Sequence, residues 1–153
     1  MKNLFLALLL TSPVWAATTD TLLLKGTVPA VVDIDVVPTT LATTLPLDTT
    51  QVNGHVADVV TKWNTLNGAR IVVSSANGGQ LRHASVTTSV INYTLQAPGV
   101  PAFSLASPQT FDDPVSGPQN IIQALGINYT GVPYDLLVEG DYTDTVTFTI
   151  SAL

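Results

Sequence analysis

Few side chains in this sequence could do chemistry, and they are scattered. The two histidines, His55 and His83, each sit in a polar, turn-like context, and no Gly-x-Ser-x-Gly elbow accompanies them. A loop or solvated histidine is the ordinary reading of both. Cysteine is absent, which removes thiolate catalysis, disulfide frameworks and Cys-based zinc sites. The expectation is a chain that is not an enzyme, carries no cofactor and holds no transition metal tightly.

The carboxylates offer slightly more. Asp33 and Asp35 are two apart, so on a strand they share a face and could share a cation. Asp135, Glu139, Asp141 and Asp144 flank a turn and could do likewise. Neither set has the spacing of a calcium loop, so weak calcium binding is the most they imply. A solvated strand face and a polar turn are the ordinary reading of both sets. Trp63, between Lys62 and Asn64, could stack on a sugar, although Trp is more often structural. Asn92-Tyr93-Thr94 and Asn128-Tyr129-Thr130 are formal glycosylation sequons.

The elements that must position these groups are strands. Thr and Val occupy 41 of the 153 positions, against one Glu and three Lys. β-branched residues favour a pleated sheet, and the long-chain helix formers are nearly missing. Charged residues make up only 10% of the chain, too few for an ordinary globular surface, and the net charge is −6. That sign, with no local basic patch, excludes nucleic acid as a partner.

Alternation with period two marks half-buried strands. Leu22, Leu24, Gly26 and Val28 share one face; Val32, Ile34 and Val36 alternate with the two aspartates. Ile71 and Val73 follow the pattern, as do Ile91, Tyr93 and Leu95, then Tyr134, Leu136 and Val138. The clearest run is the last, with Val146, Phe148 and Ile150 against Thr145, Thr147 and Thr149. Asn53-Gly54, Asn67-Gly68, Asn77-Gly78-Gly79, Pro98-Gly99, Gly117-Pro118 and Glu139-Gly140-Asp141 read as turns. Residues 97–118, with five of the ten prolines, read as a long loop with at most one edge strand. Gln119–Leu125 is ambiguous and could be one helical turn. The fold class is all-β, a sandwich or small barrel, and no linker divides it.

The first residues read as an export signal. Lys2 precedes the apolar run Leu4–Leu10, and Val14-Trp15-Ala16 offers a cleavage site after Ala16. The run is far shorter than the roughly 20 residues needed to span a bilayer, so no membrane span is expected in the mature chain. The expected organisation is a signal peptide at 1–16, an N-terminal strand at 17–28 and one sandwich domain at 29–153. Pro29 separates the two apolar stretches, because it cannot donate to a strand ladder.

Three stretches carry a resemblance: Leu22–Pro38 (LLLKGTVPAVVDIDVVP), Asn67–Leu81 (NGARIVVSSANGGQL) and Gly140–Ala152 (GDYTDTVTFTISA). In this layout the chain resembles the major subunits of chaperone–usher pili, archaic and alternate class, and the related spore coat protein U domains. The resemblance implies an immunoglobulin-like β-sandwich that lacks its last strand and is completed by a neighbour's N-terminal segment, by donor-strand complementation. It implies that Leu22, Leu24, Gly26 and Val28 are the donor residues, and that Val146, Phe148 and Ile150 line part of the acceptor groove. The implied partners are copies of the chain itself in a homopolymer, a periplasmic chaperone and an outer-membrane usher. The implied location is the cell surface, reached through the periplasm, in a fimbrium serving adhesion or biofilm. With no room for a second domain, a shaft subunit is expected rather than a tip adhesin. The alternative is a self-complemented, monomeric extracellular or periplasmic binding module for a carbohydrate or protein ligand.

Overall fold

The computed structural model describes residues 18–153; the expected signal peptide and its cleavage site lie outside the described residues. In chain order the strands are β1 (Val32–Pro38), β2 (Gln51–Trp63), β3 (Ala69–Ser75), β4 (Gln80–His83), β5 (Val90–Ala97), β6 (Val100–Ser104), β7 (Gln109–Asp113), β8 (Gln119–Tyr129), β9 (Tyr142–Thr143) and β10 (Val146–Ala152). Short 3-10 turns occupy Thr40–Thr43 and Tyr134–Leu136. Among the described residues there is no α-helix, as the shortage of helix formers predicts.

The strands make two antiparallel sheets. The larger runs β1-β2-β8-β5-β4-β9, with β6 paired to β5; the smaller runs β10-β3-β7. Every residue of β10 from Val146 to Ala152 is paired with β3, Phe148 opposite Val73. Inward residues alternate with outward ones on both sheets and meet in one core. Val59, Val73, Ile91, Tyr93, Leu95, Leu105, Leu125, Ile127 and Tyr129 are buried there. This is the all-β sandwich that the composition and periodicity imply, consistent with the immunoglobulin-like fold that the resemblance implies.

Four local expectations need correction. Gln119–Leu125 is the first half of β8, not a helical turn: β2 supplies a pairing partner, setting Ile121 opposite Thr61. Residues 97–118 hold two strands, β6 and β7. Each pairs on one side only, which is where prolines such as Pro101 are tolerated. Tyr134, Leu136 and Val138 do not form a strand; Tyr134 and Leu136 belong to an exposed 3-10 turn after Pro133, and Val138 is also exposed. Asn53-Gly54 is not a chain reversal but a β-bulge within β2, where Asn53 takes φ 52° and the register with β8 shifts.

The Asn67-Gly68 turn is real and has a steric cause. Gly68 has φ 91°, and a Cβ there would lie 1.9 Å from the Asp113 carbonyl oxygen. Only glycine permits both the left-handed backbone and that approach.

Candidate functional site: an exposed arm and an open sandwich edge

Residues 18–31 precede β1 as an exposed arm and form no regular structure. Leu22, Leu24 and Val28 are 84%, 83% and 82% exposed, and Leu23 is equally bare. A Cβ on Gly26 would meet nothing within 4 Å. The alternation expected for a half-buried strand is therefore present without a surface to bury it. Among the described residues, the one hydrogen bond within 18–28 is local, from the Thr21 N–H to the Asp20 carboxylate. Leaving three large aliphatic side chains in water forgoes about 1.5–3 kcal/mol each.

The arm is fastened only at its base, by a residue that no sequence motif marks. The Val31 N–H donates to Asn64 Oδ1 at 2.6 Å, and Asn64 Nδ2 donates to the Pro29 carbonyl at 3.0 Å. The Asn64 N–H donates to the Val31 carbonyl at 3.1 Å. Asn64 sits one residue beyond β2, so its amide prolongs the β1–β2 ladder past the point where Pro29 could contribute an N–H.

The second half of the site is β10. Among the described residues, one edge of this strand is bonded to β3 and the other carries no ladder. Across the sandwich it faces β1, the outer strand of the larger sheet, likewise bonded on one side only. The inward side chains along this seam, Ile34 and Val36 from β1 and Val146, Phe148 and Ile150 from β10, are half-buried, not buried. Val146 and Phe148 pack against the core cluster; Ile150 stands at its margin. Phe148 also forms one wall of a mostly apolar cavity of about 170 Å³ between the sheets, with Val59, Trp63, Val73, Phe103 and Phe111 among its other walls. The Phe103 and Phe111 rings meet edge to face at 5.0 Å and shield its far side.

A polar hub secures the start of β10. One oxygen of the Asp144 carboxylate accepts from Ser75 Oγ at 2.5 Å and from the Tyr93 hydroxyl at 2.6 Å; the other accepts from the Asn77 N–H at 3.0 Å. Burial, then the bond to the Asp144 carboxylate, pushes the Tyr93 hydroxyl well above its ordinary pKa of 10. Asp144 is thus a structural acceptor. The metal reading of the acidic residues finds no support in geometry: among the described residues no group of three His, Cys, Asp or Glu side chains could hold an ion. Asp33 stands 3.9 Å from Lys62. Asp112 pairs with Arg70 at 2.7 Å, and that bond holds its carboxyl below the usual carboxylate range.

His83 is buried, not solvated; the Ser85 and Val86 N–H groups donate to its Nδ1, and Nε2 donates to the Glu139 carbonyl. His55 is half-exposed beside Asp58 at 2.9 Å. Trp63 is 2% exposed and its Nε1 donates to the Val115 carbonyl, so it presents no face to a sugar. Asn92 is exposed, whereas Asn128 accepts the Asn53 N–H and is partly buried.

Among the described residues, the class that fold and site define is an immunoglobulin-like sandwich with an exposed apolar arm and a last strand laddered on one edge only. The chain matches no protein-family model and no curated protein sequence.

Proposed function

We propose that this chain is a structural, non-enzymatic subunit of a secreted surface filament, and that the arm of one copy completes the sandwich of the next. The observation that carries the reading is the bare apolar face of Leu22, Leu24 and Val28, held off its own body. Inserted between β10 and β1 of a second copy, these side chains contribute on the order of 4–9 kcal/mol by burial alone, and ladder hydrogen bonds add to this. Residues 18–28 extend about 36 Å at about 3.3 Å each, longer than the roughly 23 Å of β10. Gly26 allows the donor backbone to lie close to its groove.

Polarity follows from where the arm leaves. Asn64 and the C-terminal end of β10 lie at the same end of the sandwich, the end carrying the 64–68 turn, where the Leu153 N–H donates to the Gly68 carbonyl. In a head-to-tail stack the arm therefore enters the neighbour at its Val146 end and lies antiparallel to β10. On this reading the partners are further copies of the chain, a periplasmic chaperone and an outer-membrane usher, and the destination is the cell surface.

The test is electrophoretic. Donor-strand polymers run as a ladder of multimers in unboiled detergent gels and collapse to monomer on boiling. Lys25 is the one basic residue of the described arm, so trypsin should clip free subunits after it and spare filaments. A single monomer band under both conditions, clipped at Lys25 throughout, overturns the proposal. A self-complemented binding module would instead give one band that trypsin spares.

A further inference from the structure

Resting on the reading above, we propose that Asn64 is the positioning residue that aims the arm, so that the strand is presented for donation in one direction. Its side chain holds both sides of the Pro29–Val31 segment, accepting from the Val31 N–H and donating to the Pro29 carbonyl. An asparagine has the donor and acceptor on one short, planar group that this requires. Pro29 has its φ locked near −65°, so fixing the peptide groups on either side of Ala30 limits the directions in which residues 18–28 can depart. Nothing beyond Pro29 fastens the arm among the described residues, so Asn64 is its last anchor.

Asn64 is itself held rigidly. The Trp63 ring before it is buried and bonded to the Val115 carbonyl, and the Thr65 carbonyl after it accepts the Gly117 N–H at 2.9 Å. Gly117 lies directly against it: a Cβ there would come within 2.3 Å of Asn64 Cα. The β7–β8 connection therefore buttresses the clamp, and one methyl added at Gly117 has no room unless Asn64 or the connection shifts. Two substitutions far apart in sequence should thus give one phenotype.

The prediction separates giving a strand from receiving one. Asn64→Ala should slow multimer formation about tenfold, the equivalent of losing two ordinary hydrogen bonds. Its capacity to bind a labelled peptide of residues 18–31, read by fluorescence anisotropy, should be unchanged. Asn64→Asp keeps the acceptor for Val31 but faces the Pro29 carbonyl with a second acceptor, and should fall in between. Gly117→Ala should resemble Asn64→Ala. Multimerisation of Asn64→Ala at the wild-type rate, or an equal loss of peptide binding, overturns the inference; the second outcome means that Asn64 supports the body, not the arm.

Aim can also be read without assembly. Because the chain has no cysteine, spin labels at Thr27→Cys and Asn120→Cys report the arm's direction in the monomer. One narrow distance distribution that broadens with Asn64→Ala supports the clamp; equal widths overturn it. Should wild type form no multimers, the filament reading fails and this measurement still decides the role of Asn64.

Discussion

The sequences of the arm and of β10 both place apolar residues with period two, and each lacks what the other has. Leu22, Leu24 and Val28 stand bare of any packing partner among the described residues. Val146, Phe148 and Ile150 line a seam in which, among the described residues, one edge is laddered and the other is empty. β1 makes the contrast sharper. Val32, Ile34 and Val36 repeat the pattern of the arm only a few residues further on, yet they fold, because β2 offers a full antiparallel register from Val32–Trp63 to Pro38–Ala57. Periodicity confers the capacity to be a strand; a partner edge decides whether that capacity is used.

Breaking the donor half should have the largest effect. Leu24→Asp places a charge where an apolar contact is needed, which costs several kcal/mol beyond the lost burial. Such a subunit should accept a wild-type arm but not donate its own, capping filaments at short length in unboiled gels. Lys25→Asp, on the opposite face, should assemble normally. If Leu24→Asp unfolds the isolated monomer, the arm and the seam belong to one domain and the contrast drawn above disappears.

Next in size is the hub at the start of β10. Asp144→Ala leaves Ser75, Tyr93 and the Asn77 N–H without their shared acceptor. An orphaned buried donor costs about 1–3 kcal/mol, so urea denaturation should register a loss of about 2–4 kcal/mol. This loss should appear in the monomer and leave trypsin cleavage at Lys25 unaltered.

The acceptor half should show the mirror image of the donor defect. Phe148→Ser trims a half-buried wall of the seam and should weaken binding of the 18–31 peptide by about 1–3 kcal/mol, below a full core truncation because the ring is not fully buried. Donation to a wild-type partner should be intact. Equal weakening of both activities would show that Phe148 serves the fold and not the seam.

The smallest effect is alkaline. The Tyr93 proton is held more tightly in the fold than in the unfolded chain. Stability from this source is complete below about pH 10, the ordinary tyrosine value, and declines as pH rises above it. Tyr93→Phe should flatten part of that decline, measured as the denaturation midpoint against pH. Tyr129 and Tyr134 share in the rest: burial, then neighbouring Tyr134 and Asp48, raises the Tyr129 hydroxyl, and burial, then Asp48, raises that of Tyr134.

What the sequence determined by itself is the material of the fold. A chain rich in Thr and Val and almost without Glu and Lys makes sheet, and the period-two runs at 32–37, 71–73, 91–95 and 146–150 fall on strands because burial needs only one clean face. Strands without clean alternation stayed hidden. Gln119–Leu125 and the proline-rich 97–118 segment become β8, β6 and β7 through neighbours distant in the chain, and Tyr134–Val138 loses its strand because none pairs with it. The site divides in the same way. The apolar faces of the arm and of β10 were legible, since side-chain alternation is local. The Asn64 clamp, the Asp144 hub and the buried state of His83 were not: each depends on hydrogen bonds to residues about 30 to 70 positions away. No local pattern records such a bond, because only the packing of two sheets brings its partners within reach.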